Sequence, residues 1–273
     1  MSPYSPLQLA EAFIRTGELA DALNALNLHL EANPTDEAAL RLRAAVLMRL
    51  PGEDYARAAL ADLERLPEPT AEDYVQQSII CQMGLGDWQQ ALTMTEQAHT
   101  LAKGDERIAE RLLMLYEQTG KLDAARKLAA DQPQNWRWLQ LAGDMAQKAG
   151  DYEAAAETYT HALADLEAKL DAEQNAITRN IKGMIVGSRA AAYLKAGQPK
   201  AAEADYYAAA AYLPTDLSYS LMAGIAAALQ GQPERAFTLC QSVLNDEPAL
   251  IDLLREQAAI YPQLEELIDQ LKR

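Results

Sequence analysis

Few side chains in this sequence could do chemistry, and their spacing argues against it. Cys81 and Cys240 lie 159 positions apart and form no CxxC pair, so they read as buried small hydrophobes of a reducing compartment. His29, His99 and His161 are scattered, with no second ligand at a helical spacing that would single out a metal site. There is no GxSxG elbow, no glycine-rich phosphate loop and no HExxH, and Glu265/Glu266 belong to a charged helix face. The expectation is no catalysis, no metal and no cofactor.

The chain has 273 residues, a net charge of −16 and 49% hydrophobic residues, enough apolar content to fold. Its 24 basic residues face 40 acidic ones without any dense basic run, which excludes a nucleic-acid footprint. The N-terminus lacks the basic and apolar regions of a secretory signal, and no apolar stretch reaches the roughly 18 to 20 residues that cross a bilayer. A soluble, cytoplasmic protein without a membrane partner is expected.

Elements capable of holding a binding surface emerge from a repeat. Gly followed five residues later by Ala recurs at Gly17/Ala22, Gly86/Ala91, Gly120/Ala125, Gly150/Ala155, Gly197/Ala202 and Gly231/Ala236. The glycine spacings of 69, 34, 30, 47 and 34 follow one period of about 34 if one unit lacks its glycine and two have changed length. The missing unit is Leu50-Pro-Gly-Glu-Asp-Tyr55 before Ala58, its turn enlarged by about two residues. Each Gly can close one helix in the left-handed conformation, while Asp87 or Asp151 caps the next helix or Pro199 or Pro233 starts it. Between turns the apolar residues keep helical spacing, and no stretch alternates as a strand would.

The chain resembles the tetratricopeptide repeat (TPR) family on these residues. In second helices Ala22 and Leu26 precede Pro34, Ala155 precedes Tyr159, Ala202 and Tyr206 precede Pro214, and Ala236 and Cys240 precede Pro248. In first helices Ala10/Phe13, Ala44/Leu47, Gly143/Ala146, Ala190/Tyr193 and Gly224/Ala227 supply a small and then a larger residue. The resemblance implies an all-α, right-handed α-solenoid of stacked antiparallel helix pairs. A single solenoid over 1–273 is expected, with about seven hairpins over 3–248 and capping helices over 249–273. The third hairpin departs from the pattern, with Ile79, Gln82 and Thr95 where small, aromatic and aromatic residues are expected.

The step from Gly150 to Gly197 lengthens one hairpin around 164–182, either packed on its neighbours or protruding as a partner-binding element. Leu163, Leu166, Leu170, Ile177, Ile181 and Met184 continue its apolar stripe, and Asp171–Asn175 is polar enough for a turn. Gly183 and Gly187 signal close helix packing. Leu264, Leu267, Ile268 and Leu271 form the single apolar stripe of the last helix, as a solvating cap requires.

What the resemblance implies about function is a groove lined by first helices that holds a peptide or protein segment. Its wall would present Arg15, Arg41 and Arg49, then Gln76, Arg107, Glu110, Met114, Arg137, Gln140, Asp144 and Lys148. The C-terminal end would offer the apolar residues Gly187, Ala191, Leu194, Leu221, Ile225 and Ala228. A partner with an acidic segment and an apolar anchor would then span a basic end and a greasy one. A subset of the family captures chaperone C-termini with Lys, Asn and Arg on three repeats, and that set is missing here. The expected role is a non-catalytic scaffold or adaptor. The alternatives are a homodimer built on the apolar C-terminal end and an enzyme-associated regulatory domain.

Overall fold

A computed structural model describes residues 4–169 and 176–272, and over these the chain is helix and turn with no strand. It is an all-α solenoid of stacked antiparallel helix pairs, as the period predicts. The first helices are α1 (Pro6–Thr16), α3 (Glu37–Leu47), α5 (Ala71–Ile79), α7 (Glu106–Gln118), α9 (Trp136–Lys148), α11 (Ala176–Lys195) and α13 (Ser218–Leu229). Pairing with α1, α3, α5, α9, α11 and α13 are α2 (Leu19–Ala32), α4 (Glu53–Glu64), α6 (Trp88–Leu101), α10 (Tyr152–Lys169), α12 (Pro199–Tyr212) and α14 (Pro233–Asp246), while α8 (Leu122–Ala130) follows α7 in the chain. Two short capping helices, α15 (Ile251–Ile260) and α16 (Glu265–Leu271), follow. No described helix is long and apolar enough to cross a membrane. The chain divides into two compact units, Met1–Ala125 and Arg126–Arg273.

Local chemistry sets the hairpins. The six glycines of the period adopt φ between +66° and +83°, the left-handed region where an added Cβ is strained. The enlarged turn has its own such residue, Gly52 at φ +128°. Asp87 caps α6 by accepting from the Gln90 N–H at 2.9 Å, and Pro199 and Pro233 open α12 and α14.

In the first unit the departure of the third hairpin has a geometric cause. One turn of π-helix, Ile80–Gly84, extends α5, with the Leu85 N–H donating to the Ile80 carbonyl five residues back. That turn accommodates one extra residue, so Ser78 rather than Ile79 takes the small buried position. Ser78 lies against Thr95 of α6 at 2.7 Å, the same relation by which Gly143 faces Tyr159 and Gly224 faces Cys240 in the second unit. Ile80 and Cys81 turn inward and Ile79 turns out. Gly84 then meets α4 so closely that an added Cβ would stand 2.6 Å from the Ala56 Cβ, which no rotamer change can relieve. We expect Gly84→Ala to destabilise the first unit by about 1–3 kcal/mol in urea unfolding; unchanged stability would mean that α4 and the π turn separate freely.

The second unit carries the lengthened hairpin, with α10 at 18 residues and α11 at 20. Leu163 and Leu166 are buried and Ile181 packs against them, but Ile177 and Met184 face solvent, so the apolar stripe is shorter than the spacing suggests. Leu170 and the turn expected at Asp171–Asn175 lie outside the described residues. Gly183 and Gly187 do mark close approach, since a Cβ on the former would meet Leu213 at 2.8 Å and on the latter the Tyr219 ring at 2.4 Å. At the end of the chain Leu264, Leu267 and Ile268 are buried while Glu265, Glu266 and Asp269 are exposed, the two faces a cap needs.

Candidate peptide-binding face on the first helices

The first unit leaves apolar side chains of its first helices uncovered. Between α3 and α5 lies a cavity of about 160 Å³ lined by Ala44, Ala45, Met48, Gln76, Ile79 and Ile80, almost wholly apolar. Met48 also borders a second cavity, of about 310 Å³, which the enlarged turn Leu50–Glu53 opens against Met83 and Gly84. Ile79 is 37% exposed and Met83 is 76% exposed, both turned outward by the π turn. A bound apolar group would remove this surface from water, worth about 1.5–3 kcal/mol for each large side chain fully covered.

Beside this surface stands an unusual cation. Arg111 of α7 donates from Nε and Nη2 to Ser78 Oγ at 3.1 and 3.0 Å, and from Nη2 to Gln82 Oε1 at 2.8 Å. Gln82 Nε2 in turn reaches Met114 Sδ at 4.0 Å. Every one of these contacts is neutral, and among the described residues no carboxylate pairs with Arg111. Burial lowers its pKa from the ordinary 12.5, yet a guanidinium stays charged at neutral pH. Other half-buried arginines are compensated: Arg43 by Asp62 at 2.6 and 2.7 Å, and Arg189 by Asp205 at 2.7 and 2.9 Å.

The residues expected to line the groove are placed as follows. Gln76 does border the apolar cavity, and Arg15 and Arg49 are exposed. Arg41 is no free cation: its Nε and Nη2 bind Asp73 at 2.8 and 2.9 Å, and its Nη1 binds Glu37 at 3.1 Å. Arg107 is exposed but folds back on Asp105, the N-cap of its own helix, at 2.9 Å. Met114 and Gln140 are half-buried, Glu110 likewise, and Arg137 and Lys148 are exposed. Asp144 accepts from the Tyr159 hydroxyl at 2.6 Å.

The apolar C-terminal residues are not a surface. Leu194 is 4% exposed, and Leu221 and Ile225 are fully buried. The capping segment covers them: Leu254, Leu264, Leu267 and Ile268 share one core cluster with Leu221 and Ile225, and Tyr261 packs into the cluster of Leu194 and Tyr206. The picture of one partner spanning a basic end and a greasy end is corrected accordingly, because the greasy end is filled from within and Arg41 is already paired.

The histidines and cysteines do not converge. His29 binds Asp36, the N-cap of α3, at 2.7 Å, while His161 is exposed. Burial pushes the Cys81 thiol up to about 11 and the Cys240 thiol to about 12, far from a reactive thiolate. Among the described residues no three His, Cys, Asp or Glu side chains are grouped to hold a metal.

The Arg41–Asp73 pair has a pH signature. Burial raises the Asp73 pKa, but hydrogen bonds from Arg41 and Thr70 outweigh it and leave the pKa below the ordinary 3.8. Asp73 therefore contributes stability that is fully present above that value and disappears as pH falls through the lower folded-state value. In Asp73→Asn, the acid limb of the stability profile below about pH 4 should be shallower than in the wild type. Superimposable profiles would show that the pair is not linked to folding.

Arg111, Ala45, Met48, Ile79 and Met83 are the residues that the periodicity did not bring forward. The misfit of Ile79 in the third hairpin was the available signal, since a one-residue slip reassigns what faces outward.

No protein-family model matches the chain, and a search of curated proteins finds no match. Solved structures do match. The C-terminal part of a TPR repeat-containing protein from Cytophaga hutchinsonii is 14% identical with a TM-score of 0.62, over 97% of this chain and 98% of that one. A tetratricopeptide repeat protein from Parabacteroides merdae is 14% identical with a TM-score of 0.51, over 98% of each chain. A chain in a structure of Naa15/Naa10 bound to HypK-THB is 14% identical with a TM-score of 0.60, over 94% of this chain but only 39% of that one. At such identity the likeness is one of fold, and the fold is a TPR-like helix-pair solenoid.

Proposed function

We propose that this chain is a non-catalytic scaffold that binds a peptide or protein segment on the first helices of residues 1–125. The observation that carries the reading is the uncovered apolar surface of Ala45, Met48 and Ile79 around a preformed cavity, with Met83 exposed at the second cavity, which Met48 also borders. Here such side chains are clustered around a concavity, and a partner that covers them gains their burial. The likeness to TPR-named structures supports the same reading at the level of fold. Self-assembly through the apolar C-terminal end loses its basis, because that end is packed inside the chain.

A photo-crosslinking amino acid at position 83, compared with one at Leu28, also apolar and exposed, on second helix α2, tests the proposal in lysate of the source cells. Position 83 should yield discrete adducts that Ala45→Trp reduces and position 28 should not. Equal labelling at both sites, or none at either, would remove this face as the binding site.

A further inference from the structure

Arg111 is an anomaly in energetic terms. The chain carries 40 acidic residues, yet among the described residues this half-buried guanidinium has only hydroxyl and amide partners. Desolvating a cation without a counter-charge is costly, and neutral hydrogen bonds return part of that cost. Ser78, which receives two of its bonds, already has Thr95 as a partner at 2.7 Å, so Arg111 is not needed to satisfy it. An apolar side chain of similar length at position 111 would serve packing better.

Location gives the anomaly a meaning. α5 has the apolar cavity on its α3 side, through Gln76, Ile79 and Ile80, and Arg111 on its α7 side, through Ser78 and Gln82. All these residues of α5 and its π turn fall within two helical turns, and Ile79 and Met83 lie exposed on the same stretch. Neighbouring packed helices run about 8–10 Å apart. An extended segment covers that distance in about three residues at roughly 3.3 Å each.

Building on the reading above, we propose that the partner is an extended peptide segment with one large apolar side chain in the α3/α5 cavity and one side-chain carboxylate on Arg111. The cavity, about 160 Å³ and apolar, is close to the size that holds a benzene-sized group in a protein core, so Leu, Met or Phe fits it. The guanidinium supplies a planar donor set that a carboxylate matches. A net charge of −16 repels anions generally, so one acid placed on Arg111 is accepted where a run of acids is not.

The test is selection of a random peptide library displayed with its C-termini fused to the carrier, so that no free terminal carboxylate is present, on the full chain, on Arg111→Gln and on Ala45→Trp. Wild type should enrich a large apolar residue with a single Asp or Glu about three positions away. Arg111→Gln should keep the apolar preference and lose the acidic one, binding a synthetic wild-type-selected peptide at least about tenfold more weakly. Ala45→Trp, which fills the cavity, should lose the apolar preference. Thermal melting of Arg111→Gln should match or exceed the wild type, an outcome that a merely structural arginine would not give. Apolar enrichment without an acid, or an acid preference that survives Arg111→Gln, would overturn this inference and leave the binding face standing. Failure of the wild type to enrich any peptide would remove both.

Discussion

Asp62→Ala should destabilise the first unit by about 3–5 kcal/mol. The Asp62 side chain is 4% exposed on α4 and accepts two hydrogen bonds from Arg43 of α3, at 2.6 and 2.7 Å. The hydrogen bond to Asp62 is the main cause that raises the Arg43 pKa, so the guanidinium depends on this acid. Removing the carboxylate leaves Arg43, itself 20% exposed, with Asn27 at 2.9 Å as its remaining partner. Much of the loss is the penalty of an uncompensated charge rather than the worth of the pair, so the double change Arg43→Met with Asp62→Leu should recover most of it. Glu53→Ala, which breaks the exposed pair with Arg57, should stay within about 0.5 kcal/mol. Urea unfolding followed by circular dichroism measures all three; equal effects of Asp62→Ala and Glu53→Ala would refute the argument from burial.

Leu264→Ala should cost about 2–5 kcal/mol, concentrated in the last hairpin and its cap. Leu264 is fully buried, in one cluster with Leu221, Ile225, Leu254, Leu267 and Ile268. Truncating it opens a cavity where the capping segment holds the face of α13, and that segment contains only short helices, which depend on such packing. Hydrogen exchange should therefore quicken by at least about tenfold in α13 to α16 while α1 to α6 keep their protection. Binding of a dye to exposed apolar surface should rise as Leu221 and Ile225 become accessible. Unchanged exchange in α13 would mean that the cap does not hold this face closed.

These two sites show how far a single chain can be read. Glycine and its neighbours determine the hairpins locally: a left-handed residue ends one helix, and after Gly86, Gly150, Gly197 and Gly231 an Asp or Pro begins the next within two positions. Gly150-Asp151 and Gly231-Gln232-Pro233 announce their turns without help from the rest of the molecule. The stack follows as well, because small positions such as Gly143 and Gly224 recur at the period that brings second-helix side chains against them. The capping stripe of Leu264, Leu267 and Ile268 was legible for the same reason.

Exposure was not legible, because it depends on what arrives from elsewhere in the chain. Leu221 and Ile225 have the helical phase of groove residues, and only the returning segment around Leu264 decides that they are core. Arg41 and Arg111 are both arginines on first helices; Asp73, 32 positions away from Arg41, neutralises the one, and among the described residues no acid pairs with the other. The π turn at Ile80–Gly84 likewise reassigns Ser78 and Ile79 by one residue and sets Gly84 against Ala56 of α4, a contact between distant parts of the sequence. Periodicity thus determined the helix pairs and their order, since those rest on bonds between near neighbours. Tertiary packing alone decided which faces stay open and which charges stay unpaired, since burial and compensation are properties of distant residues meeting in space.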